Sequence, residues 1–462
     1  MNRVGMLDKP IYSPPSSVIY LQCTLFAILF GIWVLPETIL VRHLCLFIGA
    51  GLGLYVIFRN RSLFLNRAAI AIWLLLSLFA WVTLHLIFLS SDFDDQWLEF
   101  GTIWKRSFIG FIFALSLGLS IGLTIQSRAL ALSQYWKIIY AGFALPILIY
   151  WMKYVVSFLA MRYQISVPEY LMLYDQSAKF YIHKSAYVFF CLPLLAISLG
   201  FLYQLYGQRK LFQFSSLIYF ASVIAVVLNF LVEKDRNGEI YSIFFFLLFF
   251  GLIARDYLKV MSIKKITLGI FVLLIPIVVM FFQLKGNTYW NHFFSDAKIA
   301  VQIEKYDHWK DTQNKGLPID DEGKMLTGSN YERIAWGTIA IQFIAEHPWG
   351  FGLVEKSFGR LGMARWPDAK LHQSHSGWLD FTLGMGIPAA LLILFASIYA
   401  CIGSQKLPAP WNLMGSWGLV SMLLLFCTTE VSQKVYIDAF IFMVTFVSSL
   451  NLGAKALELE LV

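Results

Sequence analysis

The chain has 462 residues, 58% of them hydrophobic and 14% charged, with a mean hydropathy of +0.67. That balance excludes an ordinary water-soluble globular protein. The formal charge of +8 does not argue for nucleic acid, because the basic residues are scattered over short segments between apolar runs, where a positive-inside bias explains them.

Apolar stretches long enough to cross a bilayer, about 20 residues each, recur along almost the whole chain. The first, Ser17 to Pro36, lacks a basic leader and a small-residue cleavage pattern, so it reads as a retained span and not a signal peptide. Further spans are predicted at 39–58, 68–90, 107–126, 136–160, 180–206, 214–232, 240–256, 266–284, 376–403, 411–428 and 434–453. Continuous rather than alternating apolar runs exclude a closed barrel. The expectation is an all-α integral membrane protein with about twelve transmembrane helices, 1–462 forming one polytopic domain. Cys23, Cys45, Cys191, Cys401 and Cys427 all fall in apolar segments and act as small hydrophobes.

Loop charges set the orientation. Arg59, Arg61, Arg67, Arg128, Lys137, Arg209, Lys210, Arg255, Lys259, Lys264, Lys265 and Lys406 follow every second span, which makes that side cytoplasmic and both termini with it. The opposite side carries the acidic Ser91–Asp95 and a long segment, 285–375, between the ninth and tenth spans. Gly49, Gly51, Gly53 and the Gly118, Gly122 pair lie inside spans with no strand before them, so they read as helix-packing positions and not as a phosphate loop. Lys153, within the fifth span, reads as a snorkelling side chain.

The long segment is rich in tryptophan, which argues against disorder. Ser329 with Glu332 three residues on reads as a capping box, opening a helix with Tyr331, Ile334, Thr338 and Ile341 on one face. This helix should end at His347-Pro348, before the turn Pro-Trp-Gly350-Phe-Gly352. It carries Arg333 in its first turn, where a cation opposes the helix dipole and is better explained by an anion held nearby.

Three further groups draw attention. Arg236, in the short loop Val232–Glu239, is either an interfacial arginine paired with Asp235 or Glu239 or a phosphate ligand. His375 opens an apolar helix within His372-Gln-Ser-His375-Ser376, where a group that titrates near neutrality can act as a general base or simply be hydrogen-bonded to backbone or to Asp380. His372 and His347 read as structural or orienting. Asp92 and Asp94 have a spacing compatible with a divalent metal, but a solvated loop is the simpler reading, and no metal is assigned.

Taken together, Arg236-Asn-Gly, Arg333 followed by the His-Pro-Trp-Gly350-Phe-Gly352 turn, and His375-Ser376 with Gly386 further along the helix resemble the O-antigen ligase and O-antigen polymerase superfamily of bacterial envelope proteins. Asp235 to Pro388 carries the resemblance; Ala389 stands where the family pattern often has glycine, threonine or tyrosine. The resemblance implies a GT-C-like membrane glycosyltransferase of the bacterial inner membrane, with short helices in a large periplasmic loop and its active site on the periplasmic face. Its donor would be a glycan on undecaprenyl diphosphate and its acceptor the lipid A-core oligosaccharide, with inverting transfer and neither metal nor cofactor. His375 would be the catalytic base, Arg236 and Arg333 the diphosphate ligands, and His372, Ser376, Gly350 and Gly352 supporting residues. The nearest alternative is a polysaccharide polymerase of the same superfamily; a protein-directed oligosaccharide transferase is a further relative. A flippase or other transporter fits less well, since the span interiors carry few ionisable groups.

Overall fold

The computed structural model describes residues 11–125, 129–173, 179–211, 213–258, 293–320, 323–429 and 434–460. It is all helical, and no strand occurs among the described residues beyond one isolated bridge between Ile319 and Met325. The helices are α1 (Ser16–Trp33), α2 (Ile39–Arg59), α3 (Ile70–Phe88), α4 (Phe93–Glu99), α5 (Lys105–Gly122), α6 (Ala129–Tyr163), α7 (Lys184–Gly207), α8 (Leu217–Val232) and α9 (Arg236–Leu258). After the undescribed stretch come α10 (Phe293–Ala300), α11 (Gly328–Glu346), α12 (Ser357–Arg365), α13 (Gly377–Ser404), α14 (Val420–Leu425) and α15 (Lys434–Glu460).

Ten of these segments are long and apolar enough to cross a membrane, and Met414–Leu425 is a shorter apolar helix. The predicted span 266–284 lies outside the described residues. The span predicted at 240–256 gains its length at the front, because Arg236 is the first residue of α9 rather than part of a loop. Asp235 makes that start possible: its carboxylate accepts from the amides of Asn237 (3.0 Å) and Gly238 (3.3 Å) as an N-cap.

Burial follows from how apolar each helix is around its circumference. The membrane-length parts of α15 and α7 are 100% and 89% buried, which makes them the centre of the bundle. In contrast, α2, α8 and α13 keep an outer face of large apolar side chains such as Leu44, Phe47, Leu54, Ile224, Leu228, Phe395 and Ile398, the surface a bilayer would cover. Four of the five glycines expected to serve helix packing do so. A Cβ at Gly118 would lie 2.4 Å from Phe446 O and one at Gly122 2.5 Å from Leu450 O, so α5 and α15 touch backbone to backbone there. Gly49 and Gly53 admit Phe113 and Ser116 in the same way, whereas Gly51 faces open space. Lys153 is buried at 3% exposure and donates to Met172 O (3.3 Å) and Phe180 O (3.4 Å) under the α6–α7 connection. It does not snorkel to solvent.

A second apolar cluster lies outside the bundle. Ile299, Trp309, Leu326, Tyr331, Ile339, Phe343, Phe358 and Leu371 pack together and meet the bundle through Leu383 of α13. The long segment is therefore a folded cap, not an open loop, over its described residues. Helix α11 buries Tyr331, Ala335, Ile339 and Phe343, a different stripe from the predicted one; Ile341 is exposed. It ends at Glu346 with His347 as C-cap, as the sequence predicts.

Candidate active site

The cap is locked to the bundle at a break in α13. Gly386 has φ 81° and ψ 168° inside that helix, so its neighbours lose helical partners. The turn after α11 supplies them: Phe351 N donates to Leu383 O (2.8 Å), Gly352 N to Gly384 O (2.7 Å), and Ile387 N to Pro348 O (2.9 Å). Gly350 and Gly352 also have positive φ, and a Cβ at Gly350 would lie 2.5 Å from Gly386 N. From the bundle side, His85 Nε2 donates to Gly350 O (3.3 Å), and Gln96 donates to His85 Nδ1 (3.0 Å). Glu99 accepts from the amides of Val354 (2.7 Å) and Glu355 (3.2 Å). Gly350 and Gly352 thus hold the cap in register and do not line the cavity described next.

That cavity lies where α9 begins and α11 passes over it. Arg236 Nη2 donates to Ser329 Oγ (2.6 Å), and Arg333 Nη1 donates to Asn237 Oδ1 (3.1 Å). These two reciprocal bonds clamp the first turn of α9 to the first two turns of α11. They also correct the predicted capping box. Thr327 is the N-cap residue, the Ser329 hydroxyl serves Arg236, and Glu332 accepts from Thr312. Arg333 falls in the second turn of α11 because the helix starts at Gly328. The glycine of the Arg-Asn-Gly run has its own cause: a Cβ at Gly238 would lie 2.5 Å from the Phe230 ring.

Arg236 and Arg333 line a cavity of about 110 Å³ together with Lys184, Lys234, His183, Asn237, Thr428 and Thr429. Asp235 also lines it, but its carboxylate is engaged with the α9 amides. The walls are therefore strongly cationic, with hydroxyl and amide groups between the charges. Such a surface suits an anion with several oxygens.

His375 does not line this cavity and is linked to α11 through Trp336. Its imidazole stacks on Trp336 with ring centroids 5.0 Å apart and planes 12° from parallel. Trp336 is three residues beyond Arg333 on α11 and so shares its face of the helix. Trp336 is itself fixed by donating to Trp309 O (3.0 Å). His375 has φ 61°, a left-handed backbone that a non-glycine residue adopts only at some cost in strain. Asp380 accepts from Ser374 N (2.9 Å), which shapes the turn just before His375. Ser376 takes the N-cap position of α13, and its carbonyl accepts from the Ser374 hydroxyl (3.2 Å) and from Asp380 N (2.9 Å). His372 is exposed on the approach to this turn.

Asp92 and Asp94 open a helix and not a loop, and Asp94, in its first turn, is exposed. Asp92 caps α4, and Arg360 of α12 forms ion pairs with both Asp92 (2.5 Å) and Asp95. The sequence reading missed Ser329 as an arginine anchor, Trp336 as the support of His375, and the cations Lys184 and Lys234. Lys234 was in reach, since it lies two residues before Arg236. Lys184 comes from the start of α7, distant in sequence.

Residues 220–394 match the family model described as O-antigen ligase. The matched stretch runs from α8 into the second half of α13 and contains Arg236, Arg333 and His375. Comparisons with curated proteins and with solved structures gave no match. The chain is similar to the O-antigen ligase and polymerase superfamily, whose members are membrane glycosyltransferase-like enzymes, and it is a multi-pass membrane protein. The match supports an O-antigen ligase or polymerase type of function.

Proposed function

We propose that this protein is an O-antigen ligase of the bacterial inner membrane, transferring a glycan from undecaprenyl diphosphate to the lipid A-core oligosaccharide at the periplasmic face. The observation that carries the reading is the Arg236–Ser329 and Arg333–Asn237 clamp, which directs two guanidiniums into one cationic cavity within the matched stretch. The hard parts of such a transfer are neutralising the charge on the departing diphosphate and activating an unreactive hydroxyl.

In this reading Arg236 and Arg333 hold the diphosphate, with Lys184 and Lys234 adding positive potential. Fixed guanidiniums supply charge where it develops, so the step needs no metal. His375 takes the proton of the acceptor hydroxyl. The acceptor oxygen bonds to the anomeric carbon as the carbon–oxygen bond to the diphosphate breaks. The electron pair leaves with undecaprenyl diphosphate, and single displacement inverts the centre. The Trp336 face holds the imidazole plane while the proton moves.

The test is transfer by purified protein from a defined undecaprenyl diphosphate glycan to lipid A-core. Glycan-bearing lipid A-core is the expected product. Elongated glycan on the lipid carrier, with unmodified lipid A-core, would instead make the protein a polymerase.

A further inference from the structure

A second cationic cavity lies beside the first and shares His183 with it. It has a volume of about 300 Å³ and is lined by Trp33, Leu35, Arg42, Arg106, Tyr181 and Lys434, among others. It sits where α1 ends and where α2, α7 and α15 begin. Helix N-termini carry partial positive charge, so cations are unfavourable neighbours for them. Even so, Arg42 and Lys434 both fall in first turns here. An anion between them would offset that cost.

The pairing of these cations is incomplete. Lys434 is neutralised by Glu355 (3.2 Å) and also donates to Thr102 (2.9 Å). Arg106 forms an ion pair through Nε with buried Asp438, which also accepts from Ser107 (2.7 Å). Arg42 donates to Thr38 Oγ1 (2.9 Å) and to Leu35 O, and the carboxylate whose charge it feels, Asp438, is already paired with Arg106. Arg106 is only 9% exposed, yet its Nη2 has no hydrogen-bond partner among the described residues. A buried guanidinium N–H without an acceptor carries its full desolvation penalty. Arg106 also forms part of the cavity wall, where an oxyanion would meet its charge.

We propose that this cavity is a second phosphate-binding subsite, with Arg42 and Arg106 as its ligands. It takes the phosphate group of a sugar phosphate or of a phospholipid headgroup at the membrane surface. Its residues are separate from Arg236 and Arg333, so the proposal stands independently of the transfer reaction. A phosphate fits better than a carboxylate because its tetrahedral oxygens can meet two guanidiniums from different helices at once.

The test uses full-length protein in a neutral maltoside detergent, carrying Arg236→Gln and Arg333→Gln so that anions held at the first cavity do not contribute. Binding of radiolabelled inorganic phosphate, and retention of phosphatidylglycerol by native mass spectrometry, are measured in this background. Arg42→Gln should weaken binding about tenfold or more, the size expected for losing a charge-assisted contact. Arg106→Gln alone would strand Asp438, so the paired Arg106→Gln/Asp438→Asn variant is used, and it should show a similar loss. If that variant fails to fold, Arg42→Gln decides alone. Phosphate binding lost in the variants assigns the site to a sugar phosphate, and phosphatidylglycerol retention lost without phosphate binding assigns it to a lipid headgroup. Absence of binding by the starting protein, or unchanged binding in Arg42→Gln, overturns the proposal.

Discussion

Trp336 and His375 stack face to face, 5.0 Å between centroids and 12° from parallel, although they come from different parts of the cap. The stack joins the proposed base to the helix that carries Arg333. Losing a general base typically costs about 10²–10⁴-fold in rate, so His375→Ala should lower turnover by that amount in the defined transfer assay. Near wild-type transfer would remove His375 from the chemistry. Trp336→Ala should lower kcat more than it raises the donor KM, because it releases the imidazole without touching the cationic cavity.

Arg236→Lys should be nearly as damaging as Arg236→Ala. A lysine keeps the charge but cannot hold Ser329 and a phosphate oxygen with one planar fork. Full activity in the lysine variant would reduce the role of Arg236 to simple charge.

Ser329→Ala separates positioning from charge. It removes the acceptor that orients Arg236, a hydrogen bond worth about 1.5–3 kcal/mol when one partner is charged. The donor KM should rise several-fold or more with a smaller change in kcat. An unchanged KM would mean that Arg236 needs no support from α11.

Gly386→Ala should destabilise the protein by about 2 kcal/mol or more, since it combines a positive φ with a Cβ 2.3 Å from the Trp349 backbone. The expected signature is a lower melting temperature by fluorescence-detected size exclusion, with loss of the cap from its seat. Wild-type melting would mean that the break in α13 tolerates a side chain.

Transfer should persist in EDTA. Asp92 and Asp95 are engaged by Arg360, so this acidic stretch ties α4 to α12. Complete loss of activity in chelator, restored by a divalent cation, would return Asp92 and Asp94 to consideration as ligands.

The sequence by itself determined the class and most of the span positions. A run of about 20 apolar residues must bury or hydrogen-bond its whole backbone in a bilayer, and a helix is the local solution. It also singled out Arg236 and His375, because a charged or titratable group beside an apolar helix is costly enough to be conspicuous, and Arg333, because a cation in a first helical turn opposes the dipole. What it could not determine were the partners of these groups. The Ser329–Glu332 spacing fits a local capping box, but in the fold the Ser329 hydroxyl meets Arg236, 93 residues away. Gly350, Gly352 and Gly386 look like parts of a motif near the chemistry, yet they are the joint between cap and bundle. Arg42, Arg106 and Lys434 drew no notice as isolated interfacial cations and form a cavity only because α2, α5 and α15 bring them to one place. Local hydrogen bonds and hydropathy are written in neighbouring residues. Contacts between distant helices depend on packing, and only the tertiary structure fixes which side chains share a wall.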